Sequence, residues 1–387
     1  MTSQRTSLGL YIHIPFCKQK CVYCDFYSLA GSEVRMDAYT DALCRHLIHA
    51  APSAAGYFVD TVYFGGGTPS YLGPERLTAI LDTVLKHYAV ASGAEITLEA
   101  NPDSAGDPAA LRQLRSAGFN RISLGMQSAD AAELAAIGRV HTPEQVRQAV
   151  EAARTAGFEN LSLDLIYGLP GQTLERWAAN LAAAAALSPE HLSCYGLKAE
   201  EGTPLFTRRE EFVFPDDEAQ AELYLYTVDT LSQAGYRQYE ISNFARPGRE
   251  SRHNLKYWTL GEYLGFGPGA HSDFRGRRFA LDRSLDRYLT GSGDPEALLS
   301  EQEAPTPAER AGEWLMLGLR TAAGLDPAEF EGRFHRRFDG FLPFLRRCQQ
   351  AGYAACEEGR WRLTPQGFLL SNQIIGGLLE LLSPEEV

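Results

Sequence analysis

Between residues 8 and 195 six short apolar runs alternate with longer stretches of helical spacing. Strands are expected at 8–14, 60–64, 95–99, 121–125, 160–166 and 191–195. Helices are expected at 33–50, 74–88, 108–117, 131–137, 143–156 and 174–187, with Pro74, Pro108 and Pro143 at helix starts and Gly118 and Gly157 just past helix ends. Strands that alternate with helices pair in parallel, because each helical crossover carries the chain back to the same end of the sheet. A doubly wound sheet and a partial (β/α)6 barrel both meet this pattern. The barrel is the better fit, since the chemically suggestive residues all fall at strand C-terminal ends, where such barrels build their sites. Cysteines follow the first strand and Gly65-Gly66-Gly67 the second. Glu99 ends the third, Gln127 follows the fourth, and Asp164 lies late in the fifth.

Cys17, Cys21 and Cys24 form a C-x3-C-x2-C array directly after the first strand. Thiolates are soft ligands suited to iron–sulfur clusters or zinc. A structural zinc site, or a cubane held by protein alone, takes four ligands. Three closely spaced cysteines therefore point to a [4Fe–4S] cluster with one iron left open to an outside molecule. The bland reading, three unrelated thiols, sits poorly with so tight a spacing. Cys44, Cys194, Cys348 and Cys356 have no partner spacing and read as small apolar residues.

A net charge of −13 argues against a nucleic-acid-binding surface, which would be basic. Met1–Ser7 is polar and does not resemble a signal peptide, and no apolar run reaches membrane-spanning length. Cysteines used for metal chemistry rather than a disulfide framework fit a reducing compartment. The expectation is a cytoplasmic protein with no nucleic-acid partner and no stable membrane insertion.

Tyr23 just before the last cysteine, and Leu10-Tyr11-Ile12-His13-Ile14-Pro15-Phe16 before the first, complete a resemblance. The chain is similar to the radical S-adenosylmethionine (SAM) superfamily, in the branch of the oxygen-independent coproporphyrinogen III oxidases. Those oxidases carry a further cysteine two residues after the third. This chain has Phe26 there, and Cys24-Asp25-Phe26 with His253-Asn254-Leu255-Lys256-Tyr257-Trp258 resembles the HemW-type haem chaperones instead. The resemblance implies a TIM-like radical SAM barrel, with Cys17, Cys21 and Cys24 as cluster ligands. It implies SAM contacts from Tyr11, Tyr23, Gly66, Gly67, Thr68, Glu99, Gln127, Arg139 and Asp164, and haem binding through His253. His271 is a second candidate haem ligand, and Arg275, Arg277 and Arg278 are candidate partners for porphyrin propionates. The function implied is delivery of haem to acceptor haemoproteins such as respiratory enzymes. That role would bring peripheral contact with the membrane and a cluster-dependent homodimer. The alternative is oxidative decarboxylation of coproporphyrinogen III, or another radical SAM reaction.

Beyond residue 216 the pattern changes. A helix is expected at 216–234 and a strand at 238–241, and 291–306 reads as a linker. The chain then divides into a barrel at 1–240, the H-N-x-x-Y-W segment and linker at 241–306, and a small α+β domain at 307–387. Helices, a hairpin at 354–363 and a last helix make that domain winged-helix-like. The acidic chain favours a packing or lid role for it over DNA binding.

Overall fold

The computed structural model describes residues 6–382. The polar lead-in read at Met1–Ser7 lies mostly outside them, as do the last five residues of the C-terminal domain. Six parallel strands follow in sequence: β1 (Thr6–Ile14), β2 (Tyr57–Gly66), β3 (Val90–Ala100), β4 (Arg121–Gln127), β5 (Leu161–Tyr167) and β6 (His191–Gly196). Helices Met36–Ala50, Pro74–His87, Pro108–Ala117, Pro143–Thr155 and Leu174–Ala186 connect them. Their starts are as the sequence requires: Asp107, Thr142 and Thr173 each accept a backbone N–H of the first turn, and Thr142 with Gln145 closes a capping box.

The sheet does not end at β6. The later strands are β7 (Arg237–Gln238), β8 (Asn243–Ala245), β9 (Tyr263–Phe266), β10 (His271–Phe274), β11 (Arg277–Leu281) and β12 (Leu299–Glu303). The order across the sheet is β12-β11-β10-β9-β1-β2-β3-β4-β5-β6-β8-β7. β9 pairs in parallel with β1, Gly9 opposite Tyr263. β8 closes the other side antiparallel to β6. The six repeats thus form a partial barrel whose two margins are extended by chain from the 237–303 region.

Two expectations change here. The stretch 291–306 is not a linker: it ends a helix, makes a 3-10 turn at Pro295–Leu298, and forms β12 on the sheet margin. Its polarity misled because an edge strand turned to solvent needs few apolar residues. Arg275, Arg277 and Arg278 are also spoken for. Arg278 grips Glu313 at 2.9 Å through both terminal nitrogens, Arg277 holds Gln302, and Arg275 lies over the rings of Phe274 and Tyr57.

Helices Pro307–Gly318, Pro327–Phe334 and Leu342–Gln350, the hairpin Ala354–Glu357/Arg360–Leu363 and a final helix Ser371–Leu379 form the C-terminal part. Its core is Trp314, Leu315, Phe330, Phe338, Phe341, Leu345 and Trp361. It packs on Tyr224, Leu225 and Val228 of the helix Asp217–Gln233 and on Tyr167 at the end of β5. No helix among the described residues is long and apolar enough to cross a membrane.

Candidate cluster and ligand site

The cysteine loop leaves β1 at Pro15 and is fastened at several points. Phe16–Cys17 pairs with Leu29–Ala30, and the Leu29 N–H donates to the Pro15 carbonyl at 2.6 Å. His13 is the brace beneath it. Burial pulls the pKa of His13 down to about 4, so the ring is neutral. Its Nε2 then donates to the Tyr27 carbonyl at 2.9 Å, and its Nδ1 accepts from the Tyr11 hydroxyl at 3.1 Å. His13 holds the loop's return limb and does not face the cysteines' cavity.

The glycine turn after β2 is shaped by how close it runs to that loop. A Cβ on Gly66 would stand 2.7 Å from the His13 ring, and the residue has φ +111°, a conformation costly for any side chain. A Cβ on Gly67 would stand 2.8 Å from the Phe16 carbonyl oxygen, 2.9 Å from that of Ile14 and 3.0 Å from Cys17 Sγ. Thr68 Oγ1 donates to Cys17 Sγ at 3.5 Å, Asn101 Nδ2 donates to Thr68 Oγ1 at 3.1 Å, and Arg139 Nη1 donates to Asn101 Oδ1 at 3.0 Å. The Arg139 guanidinium ends this chain over the Tyr23 ring, 5.9 Å from its centroid. Asn101 is the link that the sequence reading passed over. Its place two residues after Glu99, just past the same strand end, was the available signal.

Inside the barrel the Tyr63 hydroxyl donates to Glu99 Oε1 at 2.7 Å and the Gly66 N–H to Oε2 at 3.2 Å. Burial still raises the Glu99 pKa to about 7, with the Asp164 charge adding to it. Asp164 accepts from Ser193 at 2.7 Å and from Ser123 at 3.0 Å, and burial raises its pKa as well. Gln127 has φ +62°, an uncommon conformation outside glycine, at a register break in β4. A Cβ on Gly125 would meet Gln127 Nε2 at 2.9 Å and Arg139 Nη2 at 3.2 Å, so glycine there lets both side chains reach the same space.

Cys17, Cys21, Cys24, Tyr23, Gly66, Gly67, Thr68, Glu99, Gln127, Arg139 and Asp164 all line one cavity of about 360 Å³. That volume is in the range of small-molecule sites. Tyr63, Asn101, Arg121, Ser123, Ser193 and Tyr195 share its wall and were not anticipated. Among the described residues none beyond Asn254 lines it, so the described C-terminal part packs on the barrel flank and does not lid the cavity.

Two expected members stand apart. Tyr11 lies behind the wall, its ring 6.3 Å from Tyr63 and its hydroxyl committed to His13. His253 is 1 % exposed, on the short helix Arg252–Trp258 under the barrel. Its Nδ1 is bonded to Thr61 Oγ1 at 2.8 Å and its Nε2 to the Tyr257 hydroxyl at 2.8 Å. Burial lowers its pKa to about 3. With both nitrogens engaged inside protein, His253 in this conformation offers no lone pair to an iron in the cavity. Only its neighbour Asn254 reaches the wall. Tyr257, four residues on, shares the face of His253, which is the helical spacing that makes this pair. His253→Ala should therefore lower the melting temperature, since it leaves the Thr61 and Tyr257 hydroxyls without their partner at a cost of about 1–3 kcal/mol. Thermal unfolding of the purified variant checks this, and an unchanged melting temperature would refute the structural role. His271, by contrast, is exposed, at the start of β10.

The cysteines suit a cluster. All three are free thiols on one cavity wall. Burial raises the pKa values of Cys21 and Cys24, against Arg139 at Cys21 and with a further push from the neighbouring cysteines, so bare thiolates are disfavoured at these two positions until a cation compensates them. No three His, Cys, Asp or Glu side chains among the described residues converge on a single ion. In a cubane each cysteine binds a different iron, so convergence on one point is not required.

Comparison with known proteins follows this geometry. The profile of the radical SAM superfamily matches residues 11–183, and that of the HemN C-terminal domain matches residues 306–370. Heme chaperone HemW of Mycobacterium tuberculosis is 44 % identical over 379 residues, spanning 96 % of this chain and 94 % of the relative. Heme chaperone HemW of Bacillus subtilis is 36 % identical, spanning 95 % and 98 %. The chain belongs to the HemW family. Among solved structures, coproporphyrinogen III oxidase (HemN) of Escherichia coli, described as a radical SAM enzyme, matches with a TM-score of 0.83 at 26 % identity, over 96 % of this chain and 89 % of that one. The HemW family membership is thus carried along nearly the whole chain, including the C-terminal part. It accounts for the cavity being built at the strand ends of a radical SAM barrel.

Proposed function

We propose that this protein is a haem chaperone. It holds a [4Fe–4S] cluster on Cys17, Cys21 and Cys24, takes SAM into the adjoining cavity, binds haem, and passes it to acceptor haemoproteins. The observation that carries this reading is the near full-length likeness, from both sides, to relatives that bear the name heme chaperone. Phe26 supports it: the position where the oxidases resembled here place another cysteine holds an exposed ring at the cavity rim.

When bound, the cluster supplies a Lewis-acidic iron and a source of electrons. The chain's own residues do the rest. The Gly66–Thr68 backbone lies against Cys17 and forms part of the cavity wall, where it can face a ligand. Glu99, fixed by Tyr63 and the Gly66 N–H, offers a carboxyl poised between charge states to ligand hydroxyls. Arg139 and Gln127 converge beside Gly125 as polar contacts, and Asp164 is held by serine hydroxyls on the opposite wall.

The structural likeness to coproporphyrinogen III oxidase favours one second reading, oxidative decarboxylation of porphyrinogen propionates. One experiment separates them. Anaerobically reconstituted, reduced protein is incubated with SAM and either haem or coproporphyrinogen III, followed by haem absorption and by chromatography of porphyrin products. Stoichiometric haem binding with no decarboxylated product is expected. Protoporphyrinogen formation would replace the chaperone reading with the enzymatic one.

A further inference from the structure

Arg121 is among the largest fully buried side chains of the protein, at 1 % exposure. It opens β4 and points into the barrel, where it forms part of the cavity wall with Ser123, Glu99, Asp164 and Ser193. Its guanidinium makes no hydrogen bond or ion pair with any described residue, and its Nε is buried without a partner. Other inward-held bases each have at least one protein partner, even Arg139, whose Nε is likewise buried without one. Lys256 Nζ is 2.8 Å from Asp60, Arg310 Nη2 is 2.6 Å from Asp273, and Arg139 Nη1 is 3.0 Å from Asn101. Burial disfavours the charge on Arg121, but Glu95, Tyr63, Tyr239 and Asp164 act on it from a distance and raise its pKa, so it stays cationic. A buried guanidinium with five donors and no acceptor is costly, and the cost is removed when a group in the cavity accepts from it.

We propose that Arg121 anchors a carboxylate of the molecule that occupies the cavity. A planar carboxylate matches the guanidinium fork with two parallel hydrogen bonds. Among anions, a single negative charge is also the better tolerated here. Glu95, Glu99 and Asp164 surround a single guanidinium, so a doubly charged phosphate would meet more repulsion than a singly charged carboxylate. The inference rests on the reading that haem and SAM are the ligands, and both bring carboxylates: the propionates of haem and the α-carboxylate of SAM. Arg121 would thus select for the acid form of its ligand from the floor of the cavity, on the barrel side of the cysteine loop.

The test compares each ligand with its carboxylate-free counterpart on cluster-reconstituted protein. Haem is set against haem dimethyl ester, and SAM against decarboxylated SAM. The variants are Arg121→Gln and Arg121→Lys, with cluster absorbance and circular dichroism recorded for each. In Arg121→Gln, the preference for one acid over its counterpart should shrink by about 10-fold or more, the scale of hydrogen bonds to a charged group. Arg121→Lys should keep part of it. A loss confined to the haem pair assigns the anchored group to a propionate, and a loss confined to the SAM pair assigns it to the α-carboxylate. Unchanged preferences for both pairs in correctly folded Arg121→Gln would overturn the proposal. If that variant does not fold, Arg121→Lys decides: a several-fold loss supports the anchor and no loss removes it. Absence of any haem binding by the wild type would defeat the chaperone reading while leaving the SAM pair to decide on Arg121.

Discussion

Gly67→Ala should give a folded chain that takes up little or no cluster. The added Cβ would stand 2.8 and 2.9 Å from two backbone carbonyl oxygens and 3.0 Å from Cys17 Sγ. The carbonyls belong to Ile14 and Phe16, which accept the N–H groups of Gly67 and Thr68 at 2.8 Å each. Neither side can retreat without breaking those bonds, so the strain passes to Cys17. Overpacking of this kind costs about 1–3 kcal/mol, which a chain of this size tolerates, while displacement of one ligand is enough to disfavour a cluster. Iron and sulfide content after anaerobic reconstitution, with the melting temperature of the apoprotein, measures both effects. Gly56→Ala is the control, because a Cβ there meets nothing within 4 Å. Near-normal iron content in Gly67→Ala would mean that the turn is more yielding than its contacts indicate.

Gly67 marks how far sequence reasoning carries. The glycines after β2 were recognisable from their place behind a strand, and so were the cysteines and the strand-end carboxylates. Local pattern and spacing are enough for that, since the period of the chain decides which end of each strand a residue occupies. Partners distant in sequence were not legible. Arg121 reads as an ordinary polar residue at a strand start, and only the assembled barrel reveals it as a buried cation on the cavity wall. His253 reads as a candidate ligand, because a motif cannot report that Thr61, 192 residues away in sequence, takes its Nδ1. The sheet's margins were missed for a related reason: β9 to β12 are four or five residues long, with charged residues in β10 to β12 and glycine turns between β9, β10 and β11, and they become strands only by pairing onto β1 and onto one another.

A second large effect is expected on the pH dependence of stability. Glu240 is 1 % exposed, at the seam where its residue bridges to Thr321 of the C-terminal part. Burial raises its pKa to about 7, against the hydrogen bond from the Ser242 N–H at 2.9 Å and the Asn243 amide. The folded carboxyl therefore holds its proton at pH values where the unfolded one, at its ordinary value near 4.5, has lost it. Below pH 4.5 this group costs nothing; from there to about pH 7 folding requires proton uptake, and stability declines; above pH 7 the loss levels off. The ceiling is about 3 kcal/mol, at roughly 1.4 kcal/mol per pH unit. Glu240→Gln removes this decline. Asn243 Oδ1 is buried without a partner, so rotating that amide lets it accept the new N–H. Chemical denaturation at pH 5 and pH 8 should show the variant gaining on the wild type by up to that amount at pH 8. Glu99 and Asp164 shift in the same direction, which is why the comparison with the single variant, rather than the wild-type curve alone, is the measurement. A variant that loses stability at pH 8 would show that the ionised carboxylate is needed at the seam.

β1 has β2 on one side and β9 on the other, so the strand that launches the cysteine loop gains its second neighbour about 250 residues later. Gly267, just past β9, runs so close that a Cβ there would lie 2.4 Å from the His13 carbonyl oxygen. During synthesis the cysteines therefore emerge early but stay on a half-supported strand until the chain has grown past residue 267. Pairings this remote in sequence form late in folding, because their loop closure is slow. A cluster delivered to the nascent chain would meet a loop free to move, whereas one delivered to the finished chain meets a loop clamped from both sides. On the proposed reading of Cys17, Cys21 and Cys24 as cluster ligands, the topology thus gives their loop its full support only once the chain has grown past residue 267.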